Sequence, residues 1–520
     1  MCRLAAIAVL VLPALLLPAL AQTQSQTQTQ SQAQTQTRQA TLELLSPRED
    51  RPSTAREFVN VLGRTVPGDT VRVAGEMVTV FATGVFARDR VPLELGLNRI
   101  TIEAVAAGGN MTSRVLEIER VAPPPAVAAA PVVAEAELLL SPAEVVEVTG
   151  PDVAELLHGV HDVRLGGPFI AEAATGTRLL ATARRGDLLR VLLAPGFSAW
   201  LPRPAVQQLV SGSMPLRPPF THFSISGNAE GDVVTIPLAA PLAYAVRALP
   251  GALEIDLFGT HLAATWISHR ASAKLVREAT VEALGDERVR IRLALNGPRD
   301  ASTWAWGWRV EHVAGAMRLT LRAPPVIAAT GSPLNGLHVA LEAGHGSAEN
   351  TGAIGATGTP EKDINRWTTD ALAAELRAAG AAVTMVREGD ENPPQRERAR
   401  RVLASPAQLF VSVHANSADT TNGFLRVSGT SHFYKSSHSR DLAAAVHQQM
   451  LALTGLPDFG LVGNFNYAPL RLVTAMPAIL VEQAFVSHPG DEAKLLDPAF
   501  RALMARAVRQ GIEVFLRAMK

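Results

Sequence analysis

Cysteine is all but missing from this 520-residue chain, in which Cys2 is the whole complement. That excludes an intramolecular disulfide framework, a cysteine-ligated zinc or iron–sulfur site, and a cysteine nucleophile in the body of the chain. Net charge is missing too, with 48 Lys+Arg against 48 Asp+Glu. Such a chain has no global basic field to hold nucleic acid by counterion release, and no strong pull toward anionic lipid. Charged residues make up only 18% and apolar ones 47%, so large cores can form and wholesale disorder is excluded. Beyond residues 4–20 no hydrophobic run of membrane-spanning length follows. Length is what the chain has, enough for about three or four domains at roughly 150 residues each.

Arg3 precedes an apolar run from Leu4 to Leu20 that closes on Ala19-Leu20-Ala21. A positive start, an apolar stretch and an A-x-A site predict a secretory signal over residues 1–21, cleaved after Ala21. The competing reading is a retained anchor, for which the run is short and interrupted by Pro13 and Pro18. Cys2 lies ahead of the apolar stretch, the wrong place for a lipoprotein cysteine. The expected product is exported and periplasmic, with no transmembrane segment after cleavage. Residues 22–40, alternating Gln with Thr or Ser, read as a low-complexity polar tether.

Over 41–121, short strands alternate with turn signals such as Pro67-Gly68-Asp69 and Gly108-Gly109-Asn110, the pattern of a small β-sandwich. The run from Val71 through Gly84-Val85-Phe86 to Leu97-Asn98-Arg99-Ile100 resembles bacterial immunoglobulin-like modules, which implies a spacer or binding role. Residues 122–136 form a Pro/Ala-rich linker. Residues 137–210 carry further strands, with Gly166-Gly167 and Arg184-Arg185-Gly186-Asp187, and resemble the small β-barrels appended to cell-wall hydrolases. Residues 216–325 are β-rich again. Their phrases Leu253-Glu254-Ile255-Asp256-Leu257 and Val289-Arg290-Ile291-Arg292-Leu293 resemble the AMIN domain, an accessory module that directs envelope amidases to peptidoglycan. Trp304, Trp306 and Trp308 fall at period two, on one side of a strand. A packed sandwich face is expected there; a platform for sugar rings is the alternative.

After Gly331-Ser332-Pro333 the texture changes. Apolar strand-length runs (Leu337–Leu341, Ala382–Val386, Leu409–Val413, Ala478–Val481) alternate with helical stripes over Asp363–Ala379, Arg396–Ala404, Ser439–Leu453 and Ala499–Met519. For 335–520 this predicts an α/β domain with a mainly parallel sheet and helices on both faces; the whole chain is then multidomain, with all-β modules leading. In such sheets functional groups gather at the carboxyl ends of strands. There the sequence places His345 in Gly344-His345-Gly346, His414 in His414-Ala415-Asn416, and Glu482, while Glu361 opens the first long helix. Two His nitrogens and one carboxylate match a three-ligand zinc set with a position left for water, and one carboxylate remains for acid–base work. Singly, each residue has an ordinary explanation: a polar turn, a helix-start acid, a buried acid needing a partner. Together at one sheet edge they argue for a site.

Residues 337–517 resemble the catalytic domain of zinc-dependent N-acetylmuramoyl-L-alanine amidases of the AmiA/AmiB/AmiC type. The resemblance rests on Glu342-Ala343-Gly344-His345-Gly346, Gly352-Ala353-Ile354-Gly355, Glu361-Lys362-Asp363-Ile364-Asn365, Leu409 through Ser417, Met476 through Glu482, and Ser487-His488-Pro489. It implies one zinc ion held by His345, Glu361 and His414, with Glu482 as catalytic acid/base. Asn416 is implied to orient the ligands or touch substrate. The implied substrate is peptidoglycan, cut between N-acetylmuramic acid and L-alanine during wall remodelling or daughter-cell separation. Two departures stand out. Glu342 occupies a position where the family usually has Asp, and Asn416 to Asp441 contains only a short β-like stretch, Gly423–Tyr434, so the long helix that plugs some cell-division amidases is expected to be absent. Control would then come from localisation by the N-terminal modules, with an envelope or divisome protein as recruiting partner. His432 and His438, in that segment, are expected to be exposed loop residues. The competing functions are a catalytically silent peptidoglycan-binding protein and a zinc peptidase acting within the stem peptide.

Overall fold

The computed structural model describes residues 38–49, 51–123, 136–150, 153–159, 169–296 and 305–519. The expected signal sequence, most of the tether and of the 122–136 linker, Gly166-Gly167 and Trp304 lie outside the described residues. The chain divides into two compact units, Met1–Ala122 and Pro123–Lys520. In the first, a three-stranded and a five-stranded sheet enclose a core of Val61, Val71, Val73, Phe86, Ile102 and Ile118. Thr70–Val73, whose residues are alternately exposed and buried, shows how period two aims one face of each strand inward.

The second unit starts with β-structure. Strands of 138–208 continue into strands of 243–295 within one eleven-stranded sheet. The junction is the antiparallel pairing of Phe169–Ala173 with Ala243–Leu249, in register Glu172↔Tyr244 and Ala173↔Ala243. The sheet is thus continuous across the break that the sequence suggests at 210–216. A five-stranded sheet, from Leu262–His269 to Gly307–Val313, encloses a core with it that contains Phe223, Ile255, Ile291 and Leu319.

The α/β portion contains β1 (His338–Ala343), α1 (Glu361–Ala378), β2 (Ala382–Met385), α2 (Gln395–Ala404), β3 (Leu409–Asn416), β4 (Thr430–Tyr434), α3 (Arg440–Thr454), β5 (Asp458–Val462), α4 (Ala468–Leu472), β6 (Ala478–Phe485), α5 (Pro489–Leu496) and α6 (Pro498–Ala518). Its sheet order is β2-β1-β3-β6-β4-β5. β1 pairs in parallel with β2 and β3, β3 with β6, and β4 with β5, whereas β4 runs antiparallel to β6, so the sheet is mixed. β3 is buried at every residue but its last, which requires cover on both faces. α6 packs against both α1 and α3, and α2 packs on α4. Helix α1 buries Ile364, Leu372 and Leu376 and ends in Gly380, whose φ of +93° suits a left-handed cap. The amides of Gly380 and Ala381 then bond the carbonyls of Arg377 and Leu376, closing the orphan end of the helix. α6 starts with Asp497 accepting from the Ala499 amide and Pro498 in the first turn.

Trp306 corrects the expectation of a shared tryptophan face. It sits just ahead of its strand, outside the period-two rule, and is fully buried in the core of the α/β portion. Its indole lies 5.6 Å from the Phe515 ring, and Nε1 donates to the Gln408 carbonyl at 2.5 Å. Trp308 instead belongs to the core of the β-region. Next to them, a Cβ on Gly307 would fall 2.4 Å from backbone atoms of Thr474 and Ala475, so only glycine permits this approach. The Trp308 amide donates to the Thr474 carbonyl at 2.8 Å, and Arg322 donates to the Ala475 carbonyl at 2.9 Å.

Candidate metal centre

The three candidate ligands lie at or near the ends of elements, and Glu482 lies within a strand. β1 leads into His345, which has φ +62°. This left-handed conformation is costly for a residue with a Cβ and is characteristic of functional positions. A short bridge between Gly346 and Asn350 closes the turn, and Asn350 Oδ1 lies 2.8 Å from His345 Nδ1. Glu361 is the first residue of α1 and its side chain is buried. His414 lies near the end of β3, in register with Glu482 on the neighbouring β6, so the two side chains leave the same face of the sheet.

The donor atoms of His345, Glu361 and His414 all lie within 4.8 Å of one another. Glu361 Oε1 is 3.1 Å from His345 Nε2 and 3.2 Å from His414 Nδ1. Asn365, one turn along α1, and the Ala415 amide donate to the same oxygen, while the Ala353 amide donates to Oε2. Burial acts to raise the Glu361 pKa, but hydrogen bonds from His345 and His414 outweigh it and hold the carboxyl well below the usual range. Gln483 ties this arrangement together, donating to Asn365 Oδ1 and to the His414 carbonyl, each at 3.2 Å.

Behind the cluster stands Glu342, completely buried. It accepts from Arg398 at 2.7 Å and from the Tyr467 hydroxyl at 2.9 Å. Burial alone would raise its pKa; the Arg398 guanidinium, with His414, reverses this and keeps the group ionised. Arg398 also donates to the His345 carbonyl and to Asn392, which accepts from Asn350. Tyr467 meets the His414 ring edge-on at 5.7 Å. One hydrogen-bonded chain therefore runs from the His345 ring, through two asparagines and an arginine, to the acid beneath His414.

The residues fit a metal. Two imidazoles and a carboxylate are a donor set that zinc accepts. Nε2 of His414 is buried with no hydrogen-bond partner, which leaves a lone pair or proton unmatched unless something binds. Space is kept clear by two glycines. A Cβ on Gly344 would lie 2.2–2.5 Å from three His414 ring atoms, and one on Gly352 would lie 2.5 Å from Glu361 Oε2. Glu482 and Asn416 line the same cavity of about 330 Å³ as the three donors. Thus all five residues singled out by the sequence meet at one cavity. Asn350, Asn365 and Gln483 were not singled out, although the four-residue spacing of Glu361 and Asn365 on a helix was a readable signal.

His432 and His438 are not exposed loop residues. His432 is fully buried on β4 and His438 is 4% exposed, just ahead of α3. The β-like stretch Gly423–Tyr434 holds the strand β4, Thr430–Tyr434, and it lies between β5 and β6, which buries His432. Among the described residues, Asn416 to Thr430 holds one 3-10 turn, Thr420–Asn422, and no α-helix.

The sequence profile of a family described as N-acetylmuramoyl-L-alanine amidase matches residues 339–514. Among curated proteins, the chain is 32% identical over 212 residues to "Uncharacterized protein YqiI" of Bacillus subtilis (strain 168), covering 40% of this chain and 97% of that protein. It is 29% identical over 188 residues to N-acetylmuramoyl-L-alanine amidase LytC of the same organism, covering 36% of this chain and only 37% of LytC. The catalytic domain of CwlV, an N-acetylmuramoyl-L-alanine amidase from Bacillus (Paenibacillus) polymyxa var. colistinus, is similar at 30% identity and a TM-score of 0.33, covering 35% of this chain and 98% of that one.

Proposed function

The chain belongs to the N-acetylmuramoyl-L-alanine amidase family through residues 339–514, and from that premise we propose that it is an exported, periplasmic zinc hydrolase of peptidoglycan. The bond it cuts joins the lactyl group of N-acetylmuramic acid to L-alanine of the stem peptide. The observation that carries this reading is the convergence of His345, Glu361 and His414 within 4.8 Å on a cavity that Glu482 also lines.

In this reading His345, Glu361 and His414 hold the ion. Zinc bound there supplies Lewis acidity, lowering the pKa of water toward about 7 and polarising the amide carbonyl. Glu482 accepts the proton of the attacking water and then delivers it to the departing alanine amine. Asn350 fixes the His345 ring by occupying its other nitrogen, as outer partners of metal-ligating histidines do. Asn416, at the cavity rim, positions the stem peptide. The β-modules ahead of residue 325 serve localisation, by binding peptidoglycan or an envelope protein.

The test is digestion of purified peptidoglycan by the chain with zinc, with chelator, and with Glu482→Ala, read by mass spectrometry. Free stem peptides beginning at L-alanine beside intact glycan are expected, falling by about 10²- to 10⁴-fold in the variant while its zinc content stays unchanged. Cuts inside the stem peptide would make the protein a peptidase. The absence of any zinc-dependent product would make it a binding protein.

A further inference from the structure

A second and larger cavity, of about 750 Å³, opens between the β-region and the α/β portion. Its size falls in the range of small-molecule sites, and it shares no lining residue with the metal centre. Part of the wall is apolar, including Phe169, Trp308 and Leu472; much of the rest is cationic.

The cations divide by how they are compensated. Arg247 is paired with Glu254 and Asp256, Arg309 with Glu230 and Glu311, Arg400 with Glu397, and Arg440 with Asp441. Three others are different. Arg396 and Arg471 share a single carboxylate, Glu155. Lys435 donates only to a neutral group, Asn464 Oδ1, at 2.7 Å. Set against these three charges, Glu172 is the remaining carboxylate of the wall among the described residues, and it is occupied by the Tyr244 hydroxyl. Burial pushes the Glu172 carboxyl upward, toward its neutral form.

Arg471 is the most telling residue. Its side chain is 9% exposed and its guanidinium lies 5.3 Å from the Phe169 ring centroid. Its Nε is buried with no hydrogen-bond partner. Beside it, burial and the charge of Arg471 together push the Lys435 pKa down. Lys435, on the cavity wall with only a neutral partner, is improved by an anion that accepts from it beside the Arg471 charge.

We propose that this cavity is a binding site for a small anion with an apolar body, its carboxylate or phosphate seated by Lys435 and Arg471 and its body against the aromatic wall. Because the walls come from both the β-region and the α/β portion, the ligand braces the one against the other.

Calorimetric titration of the metal-loaded full chain tests this with three probes of one shape: benzoate, phenyl phosphate and uncharged benzamide. Saturable 1:1 binding of at least one anion is expected, and whichever binds identifies the charged group. Benzamide should not bind. Lys435→Gln should weaken the anion by about tenfold or more, the scale of one charge-assisted hydrogen bond, and Lys435→Arg should retain it. Peptidoglycan cleavage by Lys435→Gln should match the parent. Binding unaffected by Lys435→Gln, equal binding of benzamide, or no saturation by either anion up to ~10 mM, weaker than any useful affinity, overturns the proposal. Calorimetry needs no bond cleavage, so its outcome is separable from failure of the amidase reading.

Discussion

Gly344→Ala is a single-methyl perturbation aimed at the metal centre. Gly344 does not adopt the left-handed backbone, so alanine costs nothing in conformation; the conflict is with one side chain. The added Cβ would lie 2.2 Å from Cε1, 2.4 Å from Nε2 and 2.5 Å from Nδ1 of His414. Restoring ordinary contact requires the ring to retreat by roughly 1 Å. Metal ligands tolerate only about 0.2 Å of error, and a displacement of about 1 Å near reacting groups costs on the order of 10²-fold in rate. Bound zinc per chain and release of stem peptides should therefore both collapse, while the far-ultraviolet spectrum is unchanged. Gly358→Ala is the control. Its Cβ meets nothing within 4 Å, but its φ is +87°, so it should lose about 1 kcal/mol of stability through backbone strain and keep its zinc. A Gly344→Ala protein with full zinc and full activity would refute the placement of His414 as a ligand.

Three further expectations follow from buried groups. Burial holds the pKa of His438 at about 4, against 6.5 when exposed, a shift that the hydrogen bond to the Met476 carbonyl offsets only in part. The unfolded chain therefore binds the extra proton first, so stability is complete above pH 6.5 and falls as pH drops toward 4. By pH 5 the loss is about 2 kcal/mol, and it should vanish from the denaturation profile of His438→Gln. Arg398→Met should cost about 3–5 kcal/mol by stranding the buried Glu342 carboxylate, whereas adding Glu342→Gln should recover most of this in urea melts; equal losses in both would remove the ion pair from the account. Trp306→Ala should cost about 3–5 kcal/mol, with calorimetric melting of the β-region and the α/β portion brought apart rather than lowered together.

Sequence pattern makes the α/β portion legible because its signals are local. Ile364, Leu372 and Leu376 recur at helical spacing, Gly380 stops the helix, and His414 and Glu482 follow apolar runs whose ends the parallel sheet brings into register. The supports of the site are not local. Tyr467 reaches Glu342 across 125 positions and Arg398 reaches it across 56, so no short window contains the pair. His432 was misread for a related reason: the β-like pattern of Gly423–Tyr434 is readable, but not that its strand is paired on both sides within the sheet, which buries the histidine. The continuous sheet through Glu172↔Tyr244 was likewise hidden, since the pattern of a strand shows which face is apolar but not which edge will pair.

The indole of Trp306, seated against Phe515 under a bond to Gln408, also bears on how such proteins are assembled by recombination. A gene fragment encoding only residues 335–520 would carry the hydrolase without the side chain that completes its interior, and would leave Phe515 facing a hole. Gly307 compounds the dependence, because the backbone of 474–476 is shaped to a partner with no side chain there. Exchange of the leading modules among wall enzymes is therefore constrained at this seam: a donor must bring a large aromatic residue followed by glycine at the point of entry, or the recipient must first refill its own core. Domain shuffling here has a two-residue signature, and it can be sought wherever the same catalytic portion follows a β-module.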